Sequence, residues 1–344
     1  MHILEEHGMN YSILKRDKMK VLFIGGTGNI SWYCTMKALE AGHDVFILNR
    51  GKTIRTRREP PEGVKHLHAD MRYPSSVKKA LNGMSFDVVA DFICYKPEQA
   101  HMDVELFRGM TRQFIFISST AVYKRPCLYP ITEENPVCNT WEYALNKIWC
   151  ERIFLERFKE DGFPVTIVRP GHTYDTLVPD ALGSGDWTNC QRMLDGKPVV
   201  LPGDGSTLWT LTHAEDFADA FIRLFGTVLG GVYHITGDEL LTWREITMLV
   251  GDALGVKPDM VFVPSETINR LNPMVGAGLL GHKTWCDIYD NSRIKNSARG
   301  WRQKVLFRDG IRRTVDWLRE SRLRQRINPE MDGFIDDLCR RYHD

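Results

Sequence analysis

Lys20-Val21-Leu22-Phe23-Ile24-Gly25-Gly26-Thr27-Gly28-Asn29-Ile30 decides the fold. The run from Val21 to Ile24 is short, apolar and partly β-branched, which describes a buried strand. Three glycines then free the backbone for a tight turn, and Trp32 to Ala41 follows as a helix closed by Gly42. A glycine-rich turn from a strand into a helix lets backbone N–H groups approach a pyrophosphate at the helix N-terminus. Gly25, Thr27, Gly28, Asn29 and Ile30 are therefore candidate cofactor contacts. Ser31 stands where a third glycine is commoner, and a plain strand-to-helix turn without a ligand is the alternative.

Outward from this stretch, short apolar runs alternate with helical ones. Asp44 to Leu48, Val64 to Ala69, Asp87 to Ile93, Gln113 to Ser118 and Val165 to Val168 read as strands. Helices are expected at Ser75 to Leu81, near Met102 to Gly109, and from about Thr140 to Lys159. This rhythm predicts an α/β fold, a doubly wound parallel-sheet Rossmann domain, with a smaller mixed α/β C-terminal region for substrate. The expected division is an extension or arm at 1–18 and a dinucleotide domain at 19–180, to which roughly 211–236 return. The substrate region then comprises 181–210 and 237–344. Phe217 to Phe225, Thr242 to Leu254 and Gly310 to Leu318 read as helices, and Val232 to Ile235 as a strand.

The 344 residues carry 45 Lys+Arg against 44 Asp+Glu, and a net charge of +1 gives no overall field for nucleic acid or anionic lipid. Eight cysteines without a CxxC pair suggest neither a zinc site nor a disulfide framework, so no metal and a reducing cytoplasm are expected. No stretch approaches the roughly 20 apolar residues that span a bilayer. The charged start, with Glu5, Glu6, Lys15, Arg16 and Asp17, does not read as a signal peptide.

Where the second strand ends, an NAD site usually places an acid on the ribose 2′-hydroxyl. Here stand Asn49, Arg50 and Lys52, followed by Arg55, Arg57 and Arg58. Arg50 and Lys52 suit the 2′-phosphate of NADP, Arg50 alternatively stacks on adenine, and a solvated basic loop is the plain reading. The cofactor expectation is NAD(P), leaning to NADP with NAD not excluded. Asp70 and Met71, ending the third strand, are placed to meet adenine.

Tyr143-Ala144-Leu145-Asn146-Lys147 lies within the long predicted helix, so phenol and ammonium share a face one turn apart. A phenol titrating near pH 10 needs its pKa lowered by roughly three units, about 4 kcal/mol, to act near neutrality, and a nearby cation supplies such stabilisation. Alone the pattern is weak, since Tyr11 to Lys15 also matches it. Position strengthens it, because Ser118, Ser119 and Thr120 end the preceding strand at the sheet edge where doubly wound folds bind ligands.

Together these residues resemble the extended short-chain dehydrogenase/reductase family, the NAD-dependent epimerase/dehydratase group, over Met19 to about Arg319. The resemblance rests also on Phe92 to Lys96, Ile131-Thr132-Glu133, Arg169-Pro170, Gly203-Asp204-Gly205, Asp216, and Tyr233 to Gly237. It implies a catalytic Tyr143, a Lys147 that holds the nicotinamide ribose and depresses the tyrosine pKa, and a Ser119 that orients the substrate oxygen. It further implies that Phe92, Lys96 and Pro170 border the cofactor, that Lys96, Thr120, His172, Trp209 and Lys283 border substrate, and that two helices pair into a homodimer.

The departures matter. Relatives acting on nucleotide sugars carry an arginine four residues after the glycine-aspartate-glycine turn, where this chain has Trp209, a stacking surface or a core residue. Lys283 or His282 offers a second basic position, and His172 is either a substrate contact or a packed loop histidine. Thr120 and Ala121 replace the acidic pair of dehydratases. The expected activity is an NAD(P)-dependent epimerase or ketoreductase acting on a secondary alcohol or ketone of a sugar, nucleotide-linked in the leading reading. The alternatives are a dehydrogenase or reductase of a non-nucleotide polyol or natural product, and an RNA-binding protein on the same fold. Expected partners are a small-molecule substrate and a second copy of the chain, with no nucleic acid and no membrane.

Overall fold

The computed structural model describes residues 18–51, 58–183, 185–227 and 229–343. The expectations for 1–17, Lys52, Arg55 and Arg57 fall outside the described residues. In the first half of the chain, β1 (Lys20–Ile24), β2 (Asp44–Asn49), β3 (Lys65–His68), β4 (Phe86–Asp91), β5 (Thr111–Ile117) and β6 (Val165–Pro170) alternate with four helices. These are α1 (Ser31–Glu40), α2 (Pro74–Ala80), α3 (Pro97–Phe107) and α4 (Glu142–Asp161). Then come β7 (His172–Tyr174), α5 (Thr188–Leu194), β8 (Val199–Pro202), β9 (Leu208–His213), α6 (Ala214–Phe221), β10 (Val232–Ile235), β11 (Leu240–Thr242), α7 (Trp243–Leu254) and β12 (Met260–Val263). The chain ends in α8 (Ser265–Leu271), α9 (Pro273–Gly278), α10 (Ser292–Ser297), α11 (Phe307–Arg319) and α12 (Pro329–Tyr342).

Seven parallel strands form the central sheet in the order β10-β6-β5-β4-β1-β2-β3. The chain reverses direction across the sheet between β1 and β4, and the carboxyl ends of those strands bound the crevice where such folds bind ligands. Alternation along β1 explains the two layers. Val21 and Phe23 pack with Cys34 and Ala38 of α1 and Phe217 and Phe221 of α6, whereas Leu22 and Ile24 join Val104 of α3 and Phe154 of α4. Helices thus cover both faces, which is why these strands read as continuous apolar runs.

Of the segment expected to return to the main sheet, β10 enters it beside β6. Residues Leu208–His213 instead build a three-stranded sheet, β11-β9-β7, over a separate core with Tyr174, Trp243 and Phe307. A two-stranded β12-β8 sheet completes this side. The helix expected near Met102 begins at Pro97, because proline suits the first turn and Gln99 Oε1 accepts from the Tyr95 and Lys96 N–H groups at 2.8 and 3.0 Å.

Candidate active site

The glycine turn is tightly determined. Gly25 has φ +79°, and a Cβ there would stand 2.6 Å from Ile93 Cγ2. Ser31, in the place of a third glycine, locks the turn: its Oγ accepts from Gly28 N–H at 2.8 Å and donates to Gly25 O at 2.7 Å. Asn29 turns its side chain away from the crevice, donating to Thr173 O at 2.9 Å and accepting from Thr176 N–H at 2.9 Å. Ile30 packs on the core beneath. Among the described residues no side chain caps α1, and Trp32 N–H donates to Gly28 O at 3.1 Å.

A cavity of about 520 Å³ opens beside this turn, lined by Gly25, Thr27, Asn49, Arg50, Asp70, Met71 and Ile93 among others. That size and position suit a large polar ligand. Asp70 is held at a pKa of about 2 by its hydrogen bonds to Arg72, whose Nη2 lies 2.6 Å from Oδ2. Arg58 is not available as a phosphate partner. Its guanidinium pairs with Asp175 through bonds of 2.8 and 2.7 Å and lies 5.1 Å from the Trp32 ring and 5.3 Å from that of Trp317.

Two further expectations are corrected. Phe92, just past β4, points into the core, 5.9 Å from the Phe23 ring and 5.7 Å from that of Phe221, and Ile93 lines the cavity instead. Pro170 ends β6 and is buried.

Three side chains meet at the crevice edge of β4 and β5. Ser119 caps a short 3-10 turn (Thr120–Val122), its Oγ accepting from Ala121 N–H at 3.2 Å. Tyr143, in the first turn of α4, lies near enough to Ser119 for that hydroxyl to favour its phenolate. One turn on, Lys147 Nζ donates to Cys94 O at 2.7 Å and Ile117 O at 2.8 Å. Burial pushes the Tyr143 phenol up to about 12, opposed by the neighbouring Ser119 hydroxyl and reinforced by Tyr95. Lys147 directs its ammonium at the two carbonyls, and desolvation dominates at the phenol. Burial likewise pulls Lys147 below its ordinary value.

Tyr95 escaped the sequence reading, which named Lys96. Its ring lies 4.6 Å from Lys147 Nζ, while Lys96 is exposed at the start of α3. The signal was its place in the segment after β4. Also missed was the buried support beneath Ser119: Ser118 Oγ donates to Glu151 at 2.5 Å, and Arg169 grips the same carboxylate at 2.8 and 2.6 Å.

On the far side of this turn, Thr120 is buried near Tyr289. His172 and Lys283 line a small cavity of about 160 Å³ with Asp180 and Gly183. Lys283 Nζ donates to Asp180 O at 2.8 Å, and burial with the Lys283 and His282 charges takes His172 down to about 3. His282 is instead tied to Asp287 at 3.1 Å, which also pairs with Arg125. Trp209 is not a substrate surface. It is fully buried, 4.7 Å from the Trp243 ring and 5.5 Å from that of His172, with Nε1 donating to Trp285 O at 3.2 Å.

A glycine turn at the switch point with Ser119, Tyr143 and Lys147 beyond it marks a dinucleotide-dependent enzyme class, and the chain belongs to the NAD dependent epimerase/dehydratase family, whose model matches residues 21–235. It is similar to the 2'-dehydrokanamycin reductase of Streptomyces kanamyceticus, 27% identical over 73% of this chain and 71% of that protein. It is also similar to the chloroplast stem-loop binding protein of 41 kDa b of Arabidopsis thaliana, 26% identical over 72% of this chain and 67% of that protein. The Thermus thermophilus UDP-glucose 4-epimerase, solved with NAD, shares the fold at TM-score 0.69 and 23% identity over 88% of this chain and 100% of that one. Among the described residues no helix is long and apolar enough to cross a membrane, and no group of three or more His, Cys, Asp or Glu side chains is placed to hold a metal ion.

Proposed function

We propose that the protein is an NAD(P)-dependent epimerase or ketoreductase acting at a secondary alcohol or ketone carbon of a sugar. The observation that carries this is the meeting of Ser119, Tyr143 and Lys147 at the carboxyl ends of β4 and β5. The cofactor fits the chain: Gly25 leaves room that any Cβ would close, and the cavity runs from Thr27 to Asp70 and Met71. When bound, the nicotinamide supplies or accepts the hydride. In the reducing direction Tyr143 Oη gives its proton to the substrate oxygen, which Ser119 Oγ positions. Lys147, whose Nζ already donates to two carbonyls, would turn its remaining N–H to the ribose and bring its charge to bear on the phenol once the cofactor is bound. An epimerase retains the ketone and reduces its other face; a reductase releases the alcohol.

The buried Trp209 favours a second reading of the substrate. A nucleotide diphosphate would find no arginine at that position, and Lys283 and His172 bound only a small space. A sugar ketone without a nucleotide, as in the reductase relative's name, therefore competes with a nucleotide sugar. The reading extends to a homodimer through α3 and α4, and the unpaired thiols of all eight cysteines suit a reducing compartment.

Tyr143→Phe is the test. Nicotinamide absorbance with nucleotide-linked and free sugar ketones should show turnover falling about a hundredfold or more, with cofactor affinity little changed. Unchanged turnover removes the mechanism. A wild-type protein that binds no dinucleotide but binds RNA favours the RNA-binding alternative, which the stem-loop binding in the Arabidopsis relative's name keeps in view.

A further inference from the structure

The adenosine side of the large cavity carries a histidine pair that nothing in the proposed chemistry uses. His66 and His68 alternate on β3, the edge strand, so both rings project from one face, and both line the cavity with Arg50 and Arg72. Their centroids are 6.2 Å apart with planes inclined by 20°. Register places His66 beside Ile47 and His68 beside Asn49, the last residue of β2. That is the strand end where a dinucleotide's adenosine ribose is recognised.

The backbone turn beyond β2 closes onto this pair. Gly51 adopts φ +68°, and a Cβ there would lie 2.9 Å from His68 Nδ1, so glycine brings the turn and Arg50 against the imidazole. Two acids also stand on the wall. Asp70 is paired with Arg72 through bonds of 2.6 to 3.1 Å. Glu59 is exposed at the rim, where solvent screens it. Among the described residues around the end of β2, the Arg50 guanidinium and the two imidazoles face the cavity, beside an Asp70 carboxylate that Arg72 neutralises.

We propose that His66 and His68, together with Arg50, form a site for a phosphate monoester on the ribose 2′-oxygen, so that the chain selects NADP over NAD. The inference rests on the dinucleotide reading above and adds the β3 histidines as its specificity residues. A doubly charged phosphate satisfies several converging donors at once, whereas a 2′-hydroxyl satisfies at most two.

Adenosine 2′,5′-bisphosphate and adenosine 5′-monophosphate separate the two layers of the claim, since they differ by this phosphate alone. Calorimetric titration of the full chain should show the bisphosphate binding at least about tenfold more tightly. His66→Asn/His68→Asn should remove most of that excess while leaving the monophosphate affinity unchanged. Both rings are exposed, and a thermal melt verifies that the variant is folded. Equal binding of the two nucleotides by the wild type overturns the inference and leaves the dinucleotide reading standing. An excess that survives the histidine variant but disappears in Arg50→Ser overturns the assignment to β3. Failure of both nucleotides, NADH and NADPH to bind overturns the dinucleotide reading itself.

Discussion

His213 shows how one side chain couples this fold to pH. It is 1% exposed, caps α6 by accepting from Glu215 N–H through Nδ1 at 3.2 Å, and packs edgewise on Tyr33 and Tyr174. Because Nδ1 accepts, the neutral ring carries its proton on Nε2, which has no partner among the described residues. Burial, then the charges of Arg313 and Arg58, takes its pKa to about 3. In the unfolded chain the ring titrates near 6.5, so between those values the unfolded state binds the extra proton and stability rises with pH. The contribution is complete above pH ~6.5 and is lost as pH falls towards 3, with an upper bound of about 5 kcal/mol. His172, also at about 3, adds to the same slope. Urea midpoints at pH 7 and 4.5 should therefore fall steeply for the wild type and less for His213→Asn, whose amide oxygen preserves a cap. Equal slopes would place the acid sensitivity elsewhere.

The long helix α4 has two working faces. Tyr143, Lys147 and Glu151, each four residues apart, face the sheet and secure Ser119, the Cys94 and Ile117 carbonyls, and the Ser118–Arg169 pair. Losing Glu151 would leave the Arg169 guanidinium buried and uncompensated, a cost of about 3–5 kcal/mol. Leu145 and Trp149, again four apart, are 40% and 46% exposed on the outer side. If α3 and α4 pair between subunits, sedimentation should find a wild-type dimer at micromolar concentration and a folded monomer for Trp149→Asp. A monomeric wild type would remove the dimer. The Tyr-x-x-x-Lys spacing was legible because helical periodicity is local, as was the glycine turn. Most of the second region was not: β7, β8, β9, β11 and β12 are three to six residues long and derive their identity from partners distant in sequence. Trp209 illustrates the limit, since its neighbours Trp243, His282 and Trp285 are set by the fold. Tyr95 and the β3 histidines became visible for the same reason only once the crevice was formed.

Across the whole molecule, the segment from His172 to Thr176 ties the nucleotide turn to the C-terminal region. Asn29 anchors the turn to Thr173 and Thr176, while Arg58 joins Asp175 to Trp32 of α1 and Trp317 of α11. The same segment begins with His172 at the small cavity it shares with Lys283. A ligand beside the glycine turn thus bears on residues that also shape the substrate side, although it need not touch Asp175. The Asp175 side chain is 2% exposed and that of Arg58 20%, so removing the carboxylate strands a mostly buried cation. Asp175→Ala should lower the melting temperature by several degrees, consistent with about 2–3 kcal/mol in a chain of this size. It should also weaken dinucleotide binding by about tenfold, because the wall bearing Arg58 and Glu59 loses its anchor. Binding supplies the control: at a hundredfold excess over Kd the ligand stabilises the native state by about 2.7 kcal/mol, and its thermal shift should persist in the variant at saturating concentration. A variant that melts lower yet binds dinucleotide with wild-type affinity would show that the ion pair supports the C-terminal region without shaping the nucleotide site.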